Sequence, residues 1–297
     1  MVANVSDDHL IFGDNPLRKR TFRFSHDQNA PITAKKRPKK QESLDYVVPI
    51  LNSNDGEDTY FGPVLPLFHA RGTPAADERA VSVFREFGDE PFQIGTNGLM
   101  GCSIVLLVSN EAVWMSHLWE AYSNGGDDSK SNNAFYERVV QFIKGQPVNN
   151  PSPSPIMDNE PWRLKENKGS NPNKIYISPT GPGIDGTKFP SGRGQNTLLF
   201  IMAPTARGAT SNSAPLRYPN HVESMKTAVA EQLSKKPGYK EVRYVTLDPD
   251  NVPGDEDKMF NSLRGTALFQ YDPNSDGKGR RAWRLWLEGE YTEVQLR

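Results

Sequence analysis

Residues 102–118 have the sequence CSIVLLVSNEAVWMSHL and carry the clearest β-hairpin signal in the chain. Two apolar runs, 104–108 and 112–115, flank a Ser-Asn pair, and Asn tolerates the positive φ angles of tight turns. Both runs are apolar at consecutive positions, which is typical of strands that are covered on both faces. The stretch therefore predicts two adjacent antiparallel strands inside a layered protein.

The turn residues fix how the two predicted strands pair. With Ser109 and Asn110 as the two loop residues, Cys102 lies directly opposite His117 on one face of the hairpin. Cβ atoms of directly opposed residues are about 4.5–5.5 Å apart. A one-residue slip of the register turns His117 to the other face, so this prediction depends on the position of the turn.

A cysteine beside a histidine has two interpretations. An imidazole can accept the proton of a thiol, and the resulting thiolate is a nucleophile. In that case Thr96, in the predicted loop 95–98, is the candidate that orients the ring, and the backbone amides of Gly101 and Cys102 are candidates for an oxyanion hole. The alternative is structural, because a buried cysteine often acts as a small apolar residue and a histidine at a strand end often packs without chemistry.

The segment Leu99-Met100-Gly101-Cys102 is followed by His117 fifteen positions after the cysteine and preceded by Thr96 six positions before it. This arrangement resembles the active-site motif of the protein glutamine deamidases of the cytotoxic necrotizing factor, Burkholderia lethal factor and CheD group. Met100 stands where serine is common in that group, and the resemblance covers roughly residues 95–120. It implies a β-sandwich-like core with flanking helices and a catalytic Cys–His pair that converts a glutamine side chain of a protein to glutamate.

The resemblance also implies a reaction through a thioester. Cys102 attacks the carboxamide carbon, His117 protonates the departing ammonia and then activates water, and neither a metal nor a cofactor is required. A primary amine in place of water gives transglutamination from the same intermediate. Two other functions stay open. One is a non-catalytic interaction protein on the same scaffold, and the other is a thiol hydrolase or protease that uses the same dyad.

The remaining pattern predicts a mixed α+β fold built on an antiparallel core. Apolar spacing predicts helices over 75–87, 133–144 and 220–235. Branched and aromatic residues predict further strands over 174–178, 197–203, 241–247, 266–271, 282–288 and 291–296. We expect a flexible basic tail over 1–43, a single catalytic-like domain over 44–297 and a long loop over 146–173.

Charge and cysteine content restrict the partners. The chain has 35 Lys and Arg against 36 Asp and Glu, so it has no net positive charge that would attract nucleic acid or an anionic membrane to the protein as a whole. Basic clusters within residues 18–40 are the local exception, since they suit an import receptor or nucleic acid, although such runs are also common in solvated tails. A single cysteine and a start without a signal-peptide pattern predict an intracellular protein, cytoplasmic or nuclear.

Overall fold

A computed structural model describes residues 40–52, 61–67, 80–120, 122, 128–146, 179–190, 197–247 and 252–296. The strands of this described part are β1 (Val64–Pro66), β2 (Val81–Glu86), β3 (Phe92–Thr96), β4 (Ser103–Val108), β5 (Ala112–Leu118), β6 (Leu198–Pro204), β7 (Gly238–Tyr244), β8 (Ala267–Asp272), β9 (Ala282–Leu287) and β10 (Glu290–Gln295). Its main helices are α1 (Lys40–Asn52), α2 (133–143), α3 (Pro219–Gln232) and α4 (Asp255–Asn261). A short 3₁₀ turn covers Gly186–Lys188.

The strands form two five-stranded sheets. The first sheet has the order β1-β3-β8-β9-β10, and the second has the order β2-β5-β4-β6-β7. Most neighbours are antiparallel, but β1 pairs with β3 and β6 pairs with β7 in parallel. The predicted α+β class, with a mainly antiparallel sandwich-like core and flanking helices, is confirmed.

The apolar side chains divide the protein into four layers. The inner faces of the two sheets pack on each other through residues such as Ile104 and Met115 from the second sheet and Phe269 and Leu285 from the first. The outer face of the second sheet is covered by α2 and α3. The outer face of the first sheet is covered by α1, whose Tyr46 and Val47 are buried against it. The hairpin 102–118 is therefore covered on both faces, as its sequence predicts.

Two of the predicted helices are confirmed. The helix predicted over 133–144 is α2, which consists of α-helical ends, Asn133–Phe135 and Gln141–Ile143, around a π-helical turn, Tyr136–Val140. The helix predicted over 220–235 is α3, which ends at Gln232. Five of the further predicted strands correspond to β6, β7, β8, β9 and β10, with shifts of up to three residues at their ends.

The helix predicted over 75–87 is wrong. Residues 81–86 form β2, which pairs with β5, and residues 75–79 lie outside the described part of the chain. The helical spacing of Val81, Phe84 and Phe87 is accidental, since the segment is rich in residues that favour strands. Phe87 instead follows β2 and stacks on Tyr271 of the first sheet, with ring centroids 4.4 Å apart.

Three predicted segments fall on or beyond the edges of the described residues. The tail predicted over 1–43 is too long, because residues 40–43 form the first turn of α1, and residues 1–39 are not described. Of the loop predicted over 146–173, only Gln146 is described. The strand predicted over 174–178 also lies outside the described residues.

A row of polar side chains crosses the outer face of the first sheet. Gln93, Gln270 and Arg284 are directly opposed on β3, β8 and β9. Gln270 Nε2 donates to Gln93 Oε1 at 2.8 Å, and Arg284 Nε donates to Gln270 Oε1 at 2.9 Å. Tyr46 of α1 accepts from Arg284 Nη2 at 2.8 Å and donates to Gln270 Oε1 at 2.9 Å. The row therefore joins α1 to the sheet through hydrogen bonds.

Candidate functional site

The turn of the hairpin lies one residue further along the chain than predicted, which shifts the strand pairing by two positions. Ile104, not Cys102, lies directly opposite His117, and Val108 lies opposite Val113. The two central turn residues are consequently Asn110 and Glu111. The predicted direct pairing of Cys102 with His117 is wrong.

Ser109 explains the shifted turn. Its backbone N–H donates to the carbonyl of Ala112 at 2.9 Å, so Ser109 closes the turn instead of lying inside it. Its side-chain oxygen accepts from the backbone N–H groups of Glu111 and Ala112, both at 3.1 Å. Serine hydroxyls that bond to the backbone two or three residues ahead are typical of turn starts.

The shift leaves Cys102 and His117 on the same face. It moves the histidine by two positions along the partner strand, and side chains two positions apart point to the same side of a sheet. Cys102 is thus a diagonal neighbour of His117, at a separation of about 7–8 Å between backbones with the Cβ atoms somewhat closer. Both side chains point toward the first sheet, where Cys102 packs with Ile104 and Met115.

His117 is held as a neutral ring. It is only 2% exposed, and its Nδ1 lies 2.8 Å from the backbone carbonyl of Leu67. A carbonyl only accepts, so Nδ1 carries the proton and Nε2 has a bare lone pair. Nε2 is buried and has no hydrogen-bond partner among the described residues. The ring also stacks on Trp119, with centroids 4.9 Å apart, which fixes its orientation.

Burial lowers the pKa of His117 to about 4, and the hydrogen bond to Leu67 opposes this shift only in part. Desolvation penalises the charged form of a buried group, so the imidazole stays neutral at physiological pH. A neutral imidazole with one free nitrogen is the form that a general base requires.

Thr96 lies beside the histidine, although it is not in a loop. It is the last residue of β3 and pairs with Ala267, which corrects the predicted loop over 95–98. Its Oγ1 is 3.5 Å from His117 Nδ1. Because the Nδ1 proton is directed at the nearer carbonyl of Leu67, the threonine is the weaker of the two contacts.

All these groups lie at one end of the sandwich. Leu67 and Thr96 lie at the ends of β1 and β3 in the first sheet, while Cys102 and His117 lie at adjacent strand ends in the second. Residues 97–101 carry the chain from one sheet to the other. This crossing is fastened in its middle, where Leu99 N–H donates to the carbonyl of Gly265 at 3.2 Å.

Cys102 is positioned by its backbone. Its carbonyl accepts from the Tyr244 hydroxyl at 2.8 Å, at the end of β7. The thiol is not part of a disulfide, and the residue is 8% exposed. The space in front of Gly101 is filled by the carboxylate of Glu120, which a Cβ at that position would overlap. Gly101 is therefore required for the approach of Glu120, while the oxyanion role of the Gly101 and Cys102 amides stays a prediction.

Sequence reasoning missed three of the groups around the dyad. The Leu67 carbonyl has no sequence signal, because any residue supplies a carbonyl. Tyr244 is distant in sequence and contacts Cys102 only through the pairing of β7 with β6. Glu120 follows His117 by three positions, but its place beside Gly101 depends on how the two strands pair.

A search against models of known protein families found no match, and neither did a search of curated proteins. No helix among the described residues has the length and apolar character needed to cross a bilayer. Across the same described ranges, no group of three or more His, Cys, Asp or Glu side chains is arranged to hold a metal ion.

Two buried titratable groups predict how stability depends on pH. The pKa of His117 is about 4 in the folded chain and 6.5 in the unfolded chain, so only the unfolded chain takes up this proton between these pH values. Acidification through this range therefore lowers the free energy of unfolding, by up to ~3 kcal/mol. Burial raises the pKa of Glu288 from 4.5 to about 7, so this group lowers stability as the pH rises through that range. The two effects oppose each other between pH 4.5 and 6.5.

We expect a flat wild-type profile in that window, measured as the urea unfolding free energy at several pH values. His117→Asn is expected to become more stable on acidification, because only the Glu288 effect remains, and Glu288→Gln is expected to become less stable. Variant profiles that run parallel to the wild type contradict the prediction.

Proposed function

We propose that this chain is a cysteine-dependent deamidase that converts a glutamine side chain of a protein substrate to glutamate. The supporting observation is the state of His117: Nδ1 is bound to Leu67, and Nε2 is bare, on the same face as Cys102. This is the tautomer that can take the proton of a thiol. The reaction as proposed needs no metal and no cofactor.

The proposed reaction has two halves. His117 Nε2 accepts the Cys102 proton, the thiolate attacks the carboxamide carbon, and the C–N bond breaks as the imidazolium returns the proton to the departing ammonia. The thioester then reacts with water, which gives up a proton to Nε2, and the Cys102 thiol re-forms as glutamate is released. Negative charge on the carboxamide oxygen is carried by the backbone amides of Gly101 and Cys102.

The surroundings of His117 suit this cycle. The ring must be neutral at the start of each half, and burial provides that by lowering its pKa to about 4. It must become charged in between, and the Leu67 carbonyl favours the charged form through its hydrogen bond to Nδ1. Thr96 supplies a second, longer contact to the same nitrogen.

The proposed setting is intracellular, cytoplasmic or nuclear, with a protein substrate as the main partner. Basic residues within 18–40 are the proposed contact for an import receptor or nucleic acid. Apart from Lys40, which begins α1, this segment lies outside the described residues. The nucleic-acid contact is supported if the full chain binds nucleic acid in a salt-sensitive way and this binding is lost when residues 1–39 are removed.

The test is a search for converted glutamines in water labelled with ¹⁸O. The full chain is incubated with a eukaryotic cell extract, and peptides are analysed by mass spectrometry. Hydrolysis of the thioester by labelled water adds about three daltons to a glutamine, whereas amine attack adds the mass of the amine and proteolysis gives a new terminus. We expect three-dalton sites that are absent when Cys102→Ser is used.

The outcome separates the functions that the sequence leaves open. New labelled termini replace the proposal with a thiol protease, and amine adducts replace it with a transglutaminase. An extract in which the wild type and Cys102→Ser produce the same peptides contradicts an enzymatic role for the dyad and leaves a non-catalytic interaction protein.

A further inference from the structure

The pairing of β4 with β6 ends just before the candidate nucleophile. Its last pair at this end is Ile104 with Met202. The same antiparallel register, continued by two residues, places Cys102 opposite Pro204, the last residue of β6. Cys102 therefore lies at the point where these two strands separate.

The carbonyl of Cys102 points toward β6. The Ser109 N–H donates to the carbonyl of Ala112, so residue 109 forms its ladder bonds with the β5 side of the hairpin. Successive residues of an antiparallel strand bond to opposite neighbours, so Cys102 and the even-numbered residues of β4 face β6. The ladder donor for the Cys102 carbonyl would be the N–H of residue 204, and proline has none.

Another segment pairs with β6 beyond this point. Arg217 donates its backbone N–H to the carbonyl of Pro204 at 2.9 Å, and Ala206 donates to the carbonyl of Pro215 at 2.9 Å. Residues 215–217 thus continue the sheet along β6 where β4 departs. The backbone of Cys102 consequently needs a donor from outside the ladder.

Tyr244 supplies that donor. It lies opposite Pro204 on β7, is fully buried between the two sheets, and donates its hydroxyl to the Cys102 carbonyl at 2.8 Å. The side chain therefore reaches past β6 to the strand beyond it. Burial raises the pKa of this hydroxyl well above its ordinary value, so it stays protonated and donates at physiological pH.

A hydrogen bond to the Cys102 carbonyl orients the peptide unit that follows this residue, and the orientation of that unit limits where the thiol points. We propose that Tyr244 is a positioning residue of the candidate site, and that its hydroxyl replaces the ladder donor that Pro204 lacks and holds Cys102 so that the thiol faces Nε2 of His117. The inference rests on the proposed function and deepens it. Tyr244 itself contacts neither the substrate nor the reacting atoms.

The experiment measures the rate at which iodoacetamide modifies Cys102, the only cysteine of the chain, between pH 5 and 8. An unassisted thiol has a pKa of about 8.5 and loses about tenfold in rate per pH unit on acidification, because only the thiolate reacts. Assistance by His117 gives a plateau below about pH 6, since the imidazole stays neutral down to its pKa of about 4. We expect this plateau in the wild type, and we expect Tyr244→Phe to lose it and to react at pH 5 at about a tenth of the wild-type rate.

Pro204→Ala provides the rescue, because it restores a backbone N–H opposite Cys102. Adding it to Tyr244→Phe is expected to bring the plateau back to within about threefold of the wild-type rate. A buried but merely structural hydroxyl would not be replaced by a change on another strand. The rescue therefore reports the donor to Cys102 itself.

The matched control is Tyr271→Phe. The Tyr271 hydroxyl donates to the carbonyl of Gly88 at 2.7 Å, and its ring lies in the same core between the sheets. Tyr271 is on β8, at the opposite end from Ala267, which pairs with Thr96. Its loss is expected to leave the plateau at the wild-type rate.

Three results overturn the positioning role. They are a Tyr244→Phe variant that keeps the plateau, a Tyr271→Phe variant that loses it equally, and a wild type that has no plateau, because Tyr244 then has no alignment to maintain. Modification of Cys102 needs no turnover, so the two proposals fail separately. A chain that shows loss and rescue but converts no glutamine contradicts the deamidase function, and a chain that converts glutamines at the same rate without the Tyr244 hydroxyl contradicts the positioning role alone.

Discussion

Replacing His117 with alanine is expected to lower the rate of glutamine conversion by about 10²–10⁴-fold, the usual contribution of a positioned general acid–base group. The reason is that Nε2 is the bare nitrogen on the face that carries Cys102. The measurement is the rate at which ¹⁸O enters a glutamine that the wild type converts. A His117→Ala rate within tenfold of the wild type contradicts the role of the imidazole.

Thr96→Val is the informative comparison. The deamidase resemblance implies that Thr96 orients the histidine, but the nearer acceptor is the Leu67 carbonyl, at 2.8 Å against 3.5 Å for the threonine hydroxyl. Valine keeps the shape of the buried side chain and removes only the longer contact. We therefore expect a loss of about threefold or less, in line with a weak hydrogen bond. A loss as large as that of His117→Ala contradicts this expectation and shows that Thr96 orients the histidine ring.

Replacing Arg284 with alanine is expected to destabilise the fold by roughly 3–5 kcal/mol, since it breaks a buried polar network and leaves a cavity. Arg284 is 3% exposed, and its guanidinium carbon lies 5.1 Å from the centroids of Tyr46 and Phe61 and 5.3 Å from that of Trp286. The change removes the donors to Gln270 Oε1 and to the Tyr46 hydroxyl. Urea unfolding at neutral pH measures the effect.

The control for this prediction is Arg280→Ala in the same hairpin. The Arg280 side chain is 49% exposed and pairs with Asp276 at 3.5 Å, a contact of the kind that contributes little. We expect its unfolding free energy to stay within about 0.5 kcal/mol of the wild type. If both arginine variants unfold at the same urea concentration, the buried network does not hold α1 on the first sheet.

Most of the fold was predictable because the amino-acid composition of its strands differs from that of the segments between them. The runs that became β4, β5, β6, β8 and β9 are apolar and rich in branched or aromatic residues, so the local pattern and the layered structure agree. Sequence reasoning failed where the pattern fits two structures. In residues 81–87 the same apolar side chains have helical spacing and high strand propensity, and the ladder with β5 decides between them.

The sequence predicted that Thr96 lies beside His117, but it did not predict the geometry of the candidate site. The spacing of Thr96, Cys102 and His117 indicates that they meet, and the structure brings Thr96 to His117 and leaves Cys102 on the same face. The register was wrong because a single hydroxyl, that of Ser109, moves the turn by one position. The Leu67 carbonyl and Glu120 come from tertiary contacts that no local pattern encodes.

The crossing 97–101 joins the residue that contacts the histidine to the residue that carries the thiol. Thr96 ends a strand of the first sheet, and Cys102 precedes a strand of the second, so both sheets could keep all their pairings if extra residues were inserted between them. Lengthening this connection is therefore a way to alter thiol reactivity while the strand pairings are preserved. A series of insertions of increasing length at residues 97–101 would show how strongly the reactivity of the Cys102 thiol depends on the length of this connection.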